Sequence, residues 1–158
     1  MTGLILGEYE KAIISPPHSR AFFEANGTFL DCRGRLEIEE HVRLGFGLKI
    51  ITASHDANAM ILDQPFETME LHEVLIRRKV WVCSFALLYD CEIGEGALVG
   101  AGAVVKSVDV PPWHHVEGNP ARVVARFLGY QREWQRLPPD CQFVLLQHER
   151  RGSCQVSA

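Results

Sequence analysis

The chain lacks the features that mark several common functional classes. It has no excess of positive charge, with 16 lysines and arginines against 20 aspartates and glutamates and a formal net charge of −4 at pH 7. That balance gives no general field for nucleic acid or anionic membrane surfaces, so an anionic ligand has to be met by a local cluster of cations. No window approaches the roughly 20 apolar residues of a membrane span. The start, Met1 to Glu8, has neither the basic region nor the long apolar stretch of a secretory signal. These absences predict a soluble, cytoplasmic protein with no nucleic-acid partner and no membrane span. Cys32, Cys83, Cys91, Cys141 and Cys154 are odd in number and none is in CxxC spacing, which argues against redox and zinc-ribbon motifs. At least two fall on inward-pointing positions, where a thiol acts as a small buried hydrophobe.

What is present is a six-residue repeat. In the stretch Cys91 to Val105 a branched aliphatic returns at Ile93, Val99 and Val105, each with a small residue two places earlier at Cys91, Ala97 and Ala103. Residues two apart on an extended chain face the same way, so each pair points inward, while Gly94 and Gly100 permit sharp corners. This is the pattern of a β-solenoid.

A chain of 158 residues with 47% hydrophobic content suits one domain spanning 1–158. Residues 1–28 do not fit the repeat and read as an irregular lead-in packed on the first coil. The β-helix is expected over 29–110, stepping through Cys32, Ile38, Leu44 and Ile50, with inward partners at Leu30, Leu36, Val42 and Leu48. Alternation of period two nested in a period of six argues for strands and against helix. The step breaks over 53–73, which reads as a loop thrown out of the coil, and long loops carry function disproportionately. It resumes at Val74, Ile76, Val80 and Val82, then reaches Leu87 one residue early, which predicts a tightened corner around Ser84-Phe85. Val110-Pro111-Pro112 ends the strands. Residues 111–158 are expected to hold a closing turn, a short helix within 121–137 and a tail. A little over three coils form a small rod, and a symmetric oligomer is the expected way to cover it.

The motifs Leu44-Gly45 to Ser54-His55-Asp56, Lys79-Val80-Trp81-Val82, Ile93-Gly94-Glu95-Gly96 through Gly100 to Val105, Asp109-Val110-Pro111-Pro112 and Gly118-Asn119-Pro120-Ala121-Arg122-Val123 resemble one family. It is the hexapeptide-repeat, left-handed β-helix acyltransferases, and within them the maltose, galactoside and saccharide O-acetyltransferase group. The match covers roughly 30–126. It implies an all-β fold: a left-handed parallel β-helix with a protruding loop and a short C-terminal helix. It also implies acetyl-CoA as cosubstrate, a small-molecule saccharide acceptor, no metal, and a homotrimer with sites between subunits.

Residue by residue, the resemblance makes His55 the general base. A hydroxyl is too weakly acidic to attack a thioester unaided, and imidazole suits the removal of its proton. Ser84 and Ala101 are expected along the pantetheine arm, and Lys106, Ser107 and Arg122 near the nucleotide phosphates. Arg126 is one place beyond a second expected arginine. Asn26 and Asp31 lie near the sugar contacts, although each reads first as an ordinary turn residue, and His72 is placed to face His55 or line the acceptor pocket. Asp56 reads as a turn former and Trp113 as a cap on the rod. Cys83 stands where the family usually has glycine. Two other classes remain open on the same solenoid: a non-catalytic assembly module, and a zinc hydratase drawing on His41, His55 and His72, which would need three converging imidazoles.

Overall fold

The computed structural model describes residues 2–63, 65, 69–129, 131–144 and 146–147, with only the backbone at Met60, Cys141, Phe143, Val144, Leu146 and Gln147. Gln64, Phe66 and Glu67, within the loop expected over 53–73, and the tail beyond residue 147 lie outside the described residues.

Short parallel strands stack into three faces that the chain visits in turn. The first face is Leu4–Gly7, Phe29–Cys32, Lys49–Ile51, Leu87–Tyr89 and Val104–Lys106. The second is Ile13–Ile14, Arg35–Ile38, Glu73–Ile76 and Cys91–Ile93. The third is Arg43–Leu44, Trp81–Val82, Leu98–Val99 and His114–Glu117. Register stacks like on like. Ile5, Leu30, Ile50, Leu88 and Val105 form one column. Ile14, Ile38, Ile76, Ile93 and Val110 form a second, and Leu44, Val82, Val99 and Val116 a third. These columns fill the axis of a β-helix, with Ala86, Ala97 and Ala103 buried beside them. Successive coils lie about 4.8 Å apart, so each inward aliphatic packs on the one above and below.

Four expectations are corrected. The inward residue after Val82 is Leu88, which is fully buried and stacks on Ile50, whereas Leu87 is half-buried and pairs with Lys49. The step from Val82 to Leu88 is therefore a full six, and no residue is missing at Ser84-Phe85. The shortened corner comes next, between Leu88 and Ile93, where Asp90 has φ 48°, and it recurs in the following coil at Ser107, φ 54°.

The corner glycines are also not those first indicated. Gly96 (φ 66°) and Gly102 (φ 68°) take the left-handed conformation, not Gly94 and Gly100. Gly94 is needed for closeness, since a β-carbon there would stand 2.5 Å from the nitrogen of Pro112 in the next coil.

The lead-in is not irregular. Leu4–Gly7 and Ile13–Ile14 add rungs to the first and second faces, and the helix Arg20–Ala25 follows them. Ser19 caps this helix by accepting from the Phe22 amide, and Phe23 is buried in the core. The six-residue step hides this coil because its spacing is different: Ile14 pairs with Ile38 and Ile5 with Leu30.

The helix expected within 121–137 is two strands. Arg122–Leu128 runs antiparallel to His114–Glu117 with a bulge at His115/Val116, and Glu133–Arg136 pairs with it in turn. Consecutive burial of Val123, Val124 and Ala125 follows from this: the last third-face strand presents an open edge, and a β-branched segment satisfies it by pairing. Phe143–Val144 and Leu146–Gln147 add short antiparallel pairings to Arg122–Val123 and Val108–Asp109.

Between Ile51 and Glu73 the chain leaves the coil as an antiparallel hairpin, Ala53–His55 against Met69–Leu71, with a short helix Ala57–Ile61 between its strands. Thr52 holds its root, donating from Oγ1 to the Asp31 carbonyl at 2.7 Å and accepting from the Gly34 amide at 2.9 Å.

Candidate active site

His55 is the last residue of its hairpin strand and is exposed, paired through its backbone with Met69. Asp56 follows and caps the short helix, accepting from the Asn58 amide at 2.8 Å, so it is the turn former the sequence suggests. The break in the coil thus presents an imidazole at the edge of an ordered strand.

His72 does not face His55. It is buried at the root of the hairpin, where its Nε2 is 2.7 Å from Ser54 Oγ and 2.6 Å from the Tyr89 hydroxyl. Tyr89 also donates to Ser54 at 3.1 Å. On the other side of the ring, Nδ1 is 3.6 Å from Oδ1 of Asp90, and Ser107 Oγ donates to Asp90 Oδ2 at 3.5 Å. Adjacent residues on a strand project to opposite sides, so Ser54 turns toward this cluster while His55 turns away.

A second set of expected residues aligns on the corner between the third and first faces. The Gly47 amide donates to the Asn26 carbonyl, Phe85 to Phe46, and Gly102 to Ser84, at 2.8, 2.8 and 3.0 Å. Asn26, Ser84 and Ala101 therefore lie on one line along the rod. Ser84 also accepts the Phe46 amide on its Oγ at 3.1 Å. Ala101 is exposed and a β-carbon on Gly102 would meet nothing, so the backbone here is open to a ligand. The line ends at a recess of about 240 Å³ lined by Val104, Lys106, Val108, Asn119, Pro120, Ala121 and Arg122. Lys106 and Arg122 are both exposed cations there, on a chain whose net charge is negative. Lys106 lies 5.4 Å over the ring of Tyr89, a cation–π contact with the preceding coil.

The remaining expectations divide. Ser107 is committed to Asp90 rather than to the recess lining. Arg126 is on the same strand as Arg122 but about 13 Å further along, where its guanidinium donates to Gln135 Oε1 at 3.2 Å; it is not part of the recess. Asp31 has no exposed surface, and its carboxylate is held by the Arg33 guanidinium at 2.8 and 2.9 Å, which removes it from direct contact with a solvent-borne acceptor. Burial pushes the Cys83 thiol up, so it stays protonated at neutral pH. Trp113 lies against Gly96 and Phe127, as a cap. Among the described residues no group of three or more histidines, cysteines and acids is placed to hold a metal ion.

Sequence reading passed over Tyr89, Asp90, Ser54 and Asn119. The signal for the first two was available: Tyr89 and Asp90 precede Lys106 and Ser107 by one coil. Placing Leu87 inward hid that register. His55 and the Ser84–Ala101 line do not converge within one chain. The hairpin leaves the rod at the corner between the first and second faces, while Ser84 and Ala101 mark the corner between the third and first.

No family model matches the chain. A Schizosaccharomyces pombe protein provisionally named an acetyltransferase is 32% identical over 106 residues, which are 66% of this chain and 49% of that protein. The chain thus spans about half the length of the curated relative it matches. A maltose O-acetyltransferase from Clostridium difficile superposes with a TM-score of 0.51 at 25% identity, covering 63% of this chain and 52% of that one. A galactoside acetyltransferase solved in complex with coenzyme A superposes with a TM-score of 0.50 at 17% identity, covering 77% and 67%. Among the described residues no helix is long and apolar enough to cross a membrane. In sequence and in fold alike, the chain is similar to acetyltransferases built on a β-helix of six-residue repeats.

Proposed function

We propose that the protein is a cytoplasmic acetyl-CoA-dependent O-acetyltransferase acting on a hydroxyl of a saccharide or saccharide-like acceptor. The observation that carries this reading is the cationic recess of Lys106 and Arg122 at the end of an open corner line through Ser84 and Ala101. An apolar strip of Val104, Val108 and Ala121 beside two cations and Asn119 fits a ligand that is part hydrocarbon arm and part phosphate. The similar proteins, acetyltransferases, agree with it.

When bound, acetyl-CoA supplies a thioester acyl group. Lys106 and Arg122 would hold its phosphates, and the exposed backbone at Ala101 and Gly102 would lie along its arm. His55 takes the proton of the acceptor hydroxyl at an imidazole nitrogen as the oxygen attacks the acyl carbon, and returns it to the departing sulfur. Since His55 and the Ser84–Ala101 line sit on different corners, the complete site is formed between copies, His55 from one and the line from its neighbour. Phe46, Phe85 and Trp81 support this: they are 64%, 70% and 54% exposed on or beside the third face, and such a patch is expected at an interface. We assign the assembly as a homotrimer. Arg33, positioned by Asp31, and Asn26 are the acceptor-side candidates.

The test is acetyl transfer from acetyl-CoA to a panel of mono- and disaccharides, with binding of coenzyme A followed by calorimetry. His55→Ala should lose about 10²–10⁴-fold in turnover with coenzyme A binding retained. Full turnover in that variant removes the proposed base, and failure of the wild type to bind coenzyme A removes the reading.

A further inference from the structure

We propose that Ser54, His72 and Asp90 form a second reactive centre, in which Ser54 is acylated by activated esters or thioesters. Ser54 Oγ is 2.7 Å from His72 Nε2, and the opposite ring nitrogen faces the Asp90 carboxylate at 3.6 Å. A hydroxyl within hydrogen-bond reach of an imidazole that is itself oriented by a buried carboxylate is the arrangement that makes serine a nucleophile. His72 and Asp90 are shielded, with side chains 2% and 10% exposed, and Ser54 is half-buried, so the base is protected from water while the nucleophile reaches the surface.

The three groups come from separate parts of the chain. Ser54 is on the hairpin strand, His72 is at the return of the hairpin, and Asp90 is at the shortened corner, where its φ of 48° holds it under the ring. Ser107 fixes the far carboxylate oxygen from the next coil. Tyr89 completes the set. Its hydroxyl, 3.1 Å from Ser54 Oγ and 2.6 Å from His72 Nε2, is a donor beside the nucleophile and can turn to the oxygen on which charge develops during attack. The centre lies on the opposite side of the strand from His55 and is separate from the base assigned above.

In the step, Ser54 Oγ forms a bond to the acyl carbon and its proton passes to His72 Nε2. The donor's C–O or C–S bond breaks, its electron pair leaves with the oxygen or sulfur, and His72 returns the proton to that atom. The product is an acyl ester of Ser54. Water then attacks this ester with His72 again as base, releasing the carboxylic acid and restoring the hydroxyl.

This inference takes only the class of donor from the acetyltransferase reading, and its test needs neither coenzyme A nor acceptor. The full-length protein is mixed with p-nitrophenyl acetate, quenched in acid, digested and mapped by mass spectrometry, while p-nitrophenolate release is followed. The expected result is one acetyl group on Ser54 and release that Ser54→Ala abolishes and His72→Gln slows by about 10²–10⁴-fold. The wild-type adduct is read directly, so it does not depend on any variant folding, and circular dichroism checks the variants. Absence of acetyl from Ser54 in the wild type, or release unchanged in a folded Ser54→Ala, overturns the proposal and leaves the His55 mechanism untouched. Loss of transfer in His55→Ala with Ser54 still acetylated by this reagent supports two separate centres.

Discussion

The indole of Trp113 lies over Gly96 where the chain turns from the second face to the third, so that a β-carbon on Gly96 would fall within the ring's van der Waals surface. The two residues hold the same corner in successive coils, and both have positive φ, 66° and 60°. His41 and Lys79 hold it in the two preceding coils at φ 59° and 60°, so the corner itself tolerates a side chain. At Gly96 the obstacle is Trp113 together with the backbone strain. Gly96→Ala should cost about 1–3 kcal/mol. For a chain of this size that lowers the melting temperature by about 2–4 °C per kcal/mol. Adding Trp113→Ala should recover part of the loss, because the clash is removed while the strain remains. Thermal denaturation of the single and double variants measures both effects.

Arg77 ties three coils together on the second face. Its guanidinium is 2.7 Å from Glu92, 3.0 Å from Glu39 and 3.7 Å from Glu37. The hydrogen bond to Glu92 leads in holding the Arg77 pKa well above its ordinary value, against desolvation. The Arg77 side chain is only 20% exposed, so the network is between a surface pair and a buried one. Arg77→Met keeps the aliphatic stem but leaves clustered carboxylates without their cation. A loss of about 1–3 kcal/mol follows, read from urea unfolding. Because the network is partly shielded, most of that loss should persist at about 0.5 M salt, where exposed pairs are screened.

The central coils were legible because their columns are uniform. Ile93, Val99 and Val105 announce a period that the stacking of Ile76, Val82 and Leu88 repeats. Legibility failed where two residues of the same kind were adjacent. Leu87 and Leu88 are equally apolar, and only the pairing of Leu88 with Ile50 decides which points inward. At the start, Ile5 and Ile14 carry the same columns but with intervals set by a helix in place of a strand, which a six-residue search does not detect. At the end, Val124, Phe127 and Leu128 suit a helical stripe until the open edge of His114–Glu117 makes pairing the better outcome. That His55 stands where the chain leaves the coil was legible from its motif. The partners of His72 were not, since Ser54, Tyr89 and Asp90 meet it only once the hairpin has closed.

Thiol reactivity should follow burial. Desolvation pushes Cys32 up to about 11 and raises Cys91 further, and nearby acids add to both. Both lie in the core. Cys83 is half-buried and raised by burial alone. Since the thiolate is the reactive form, native protein treated with a maleimide near pH 7 should leave Cys32 and Cys91 unmodified, with Cys83 modified slowly. Denaturation in guanidinium before labelling should expose all three. Peptide mapping reads the order, and rapid native labelling of Cys91 would contradict the placement of its column.

His18 gives the N-terminal end of the rod a dependence on pH. Its ring is buried against Phe22, with centroids 4.9 Å apart, and its Nδ1 has no hydrogen-bond partner among the described residues. Burial disfavours the charged form and lowers the pKa, opposed by a backbone hydrogen bond at Ser15. A histidine with a lowered folded pKa contributes its full share of stability above the unfolded value of about 6.5. Below that, the unfolded chain binds the proton first, so this share declines as pH falls, until the folded protein is protonated too. His115 adds to the same slope, since burial lowers it against the opposing pull of Glu117. Replacing His18 with leucine removes its part of the slope while keeping an apolar ring contact with Phe22. Wild type and His18→Leu should therefore differ progressively in unfolding free energy between about pH 7 and pH 5, with the variant gaining relative to wild type as the solution is acidified. Parallel curves for the two proteins across that range would show that the His18 ring is not buried as a neutral group.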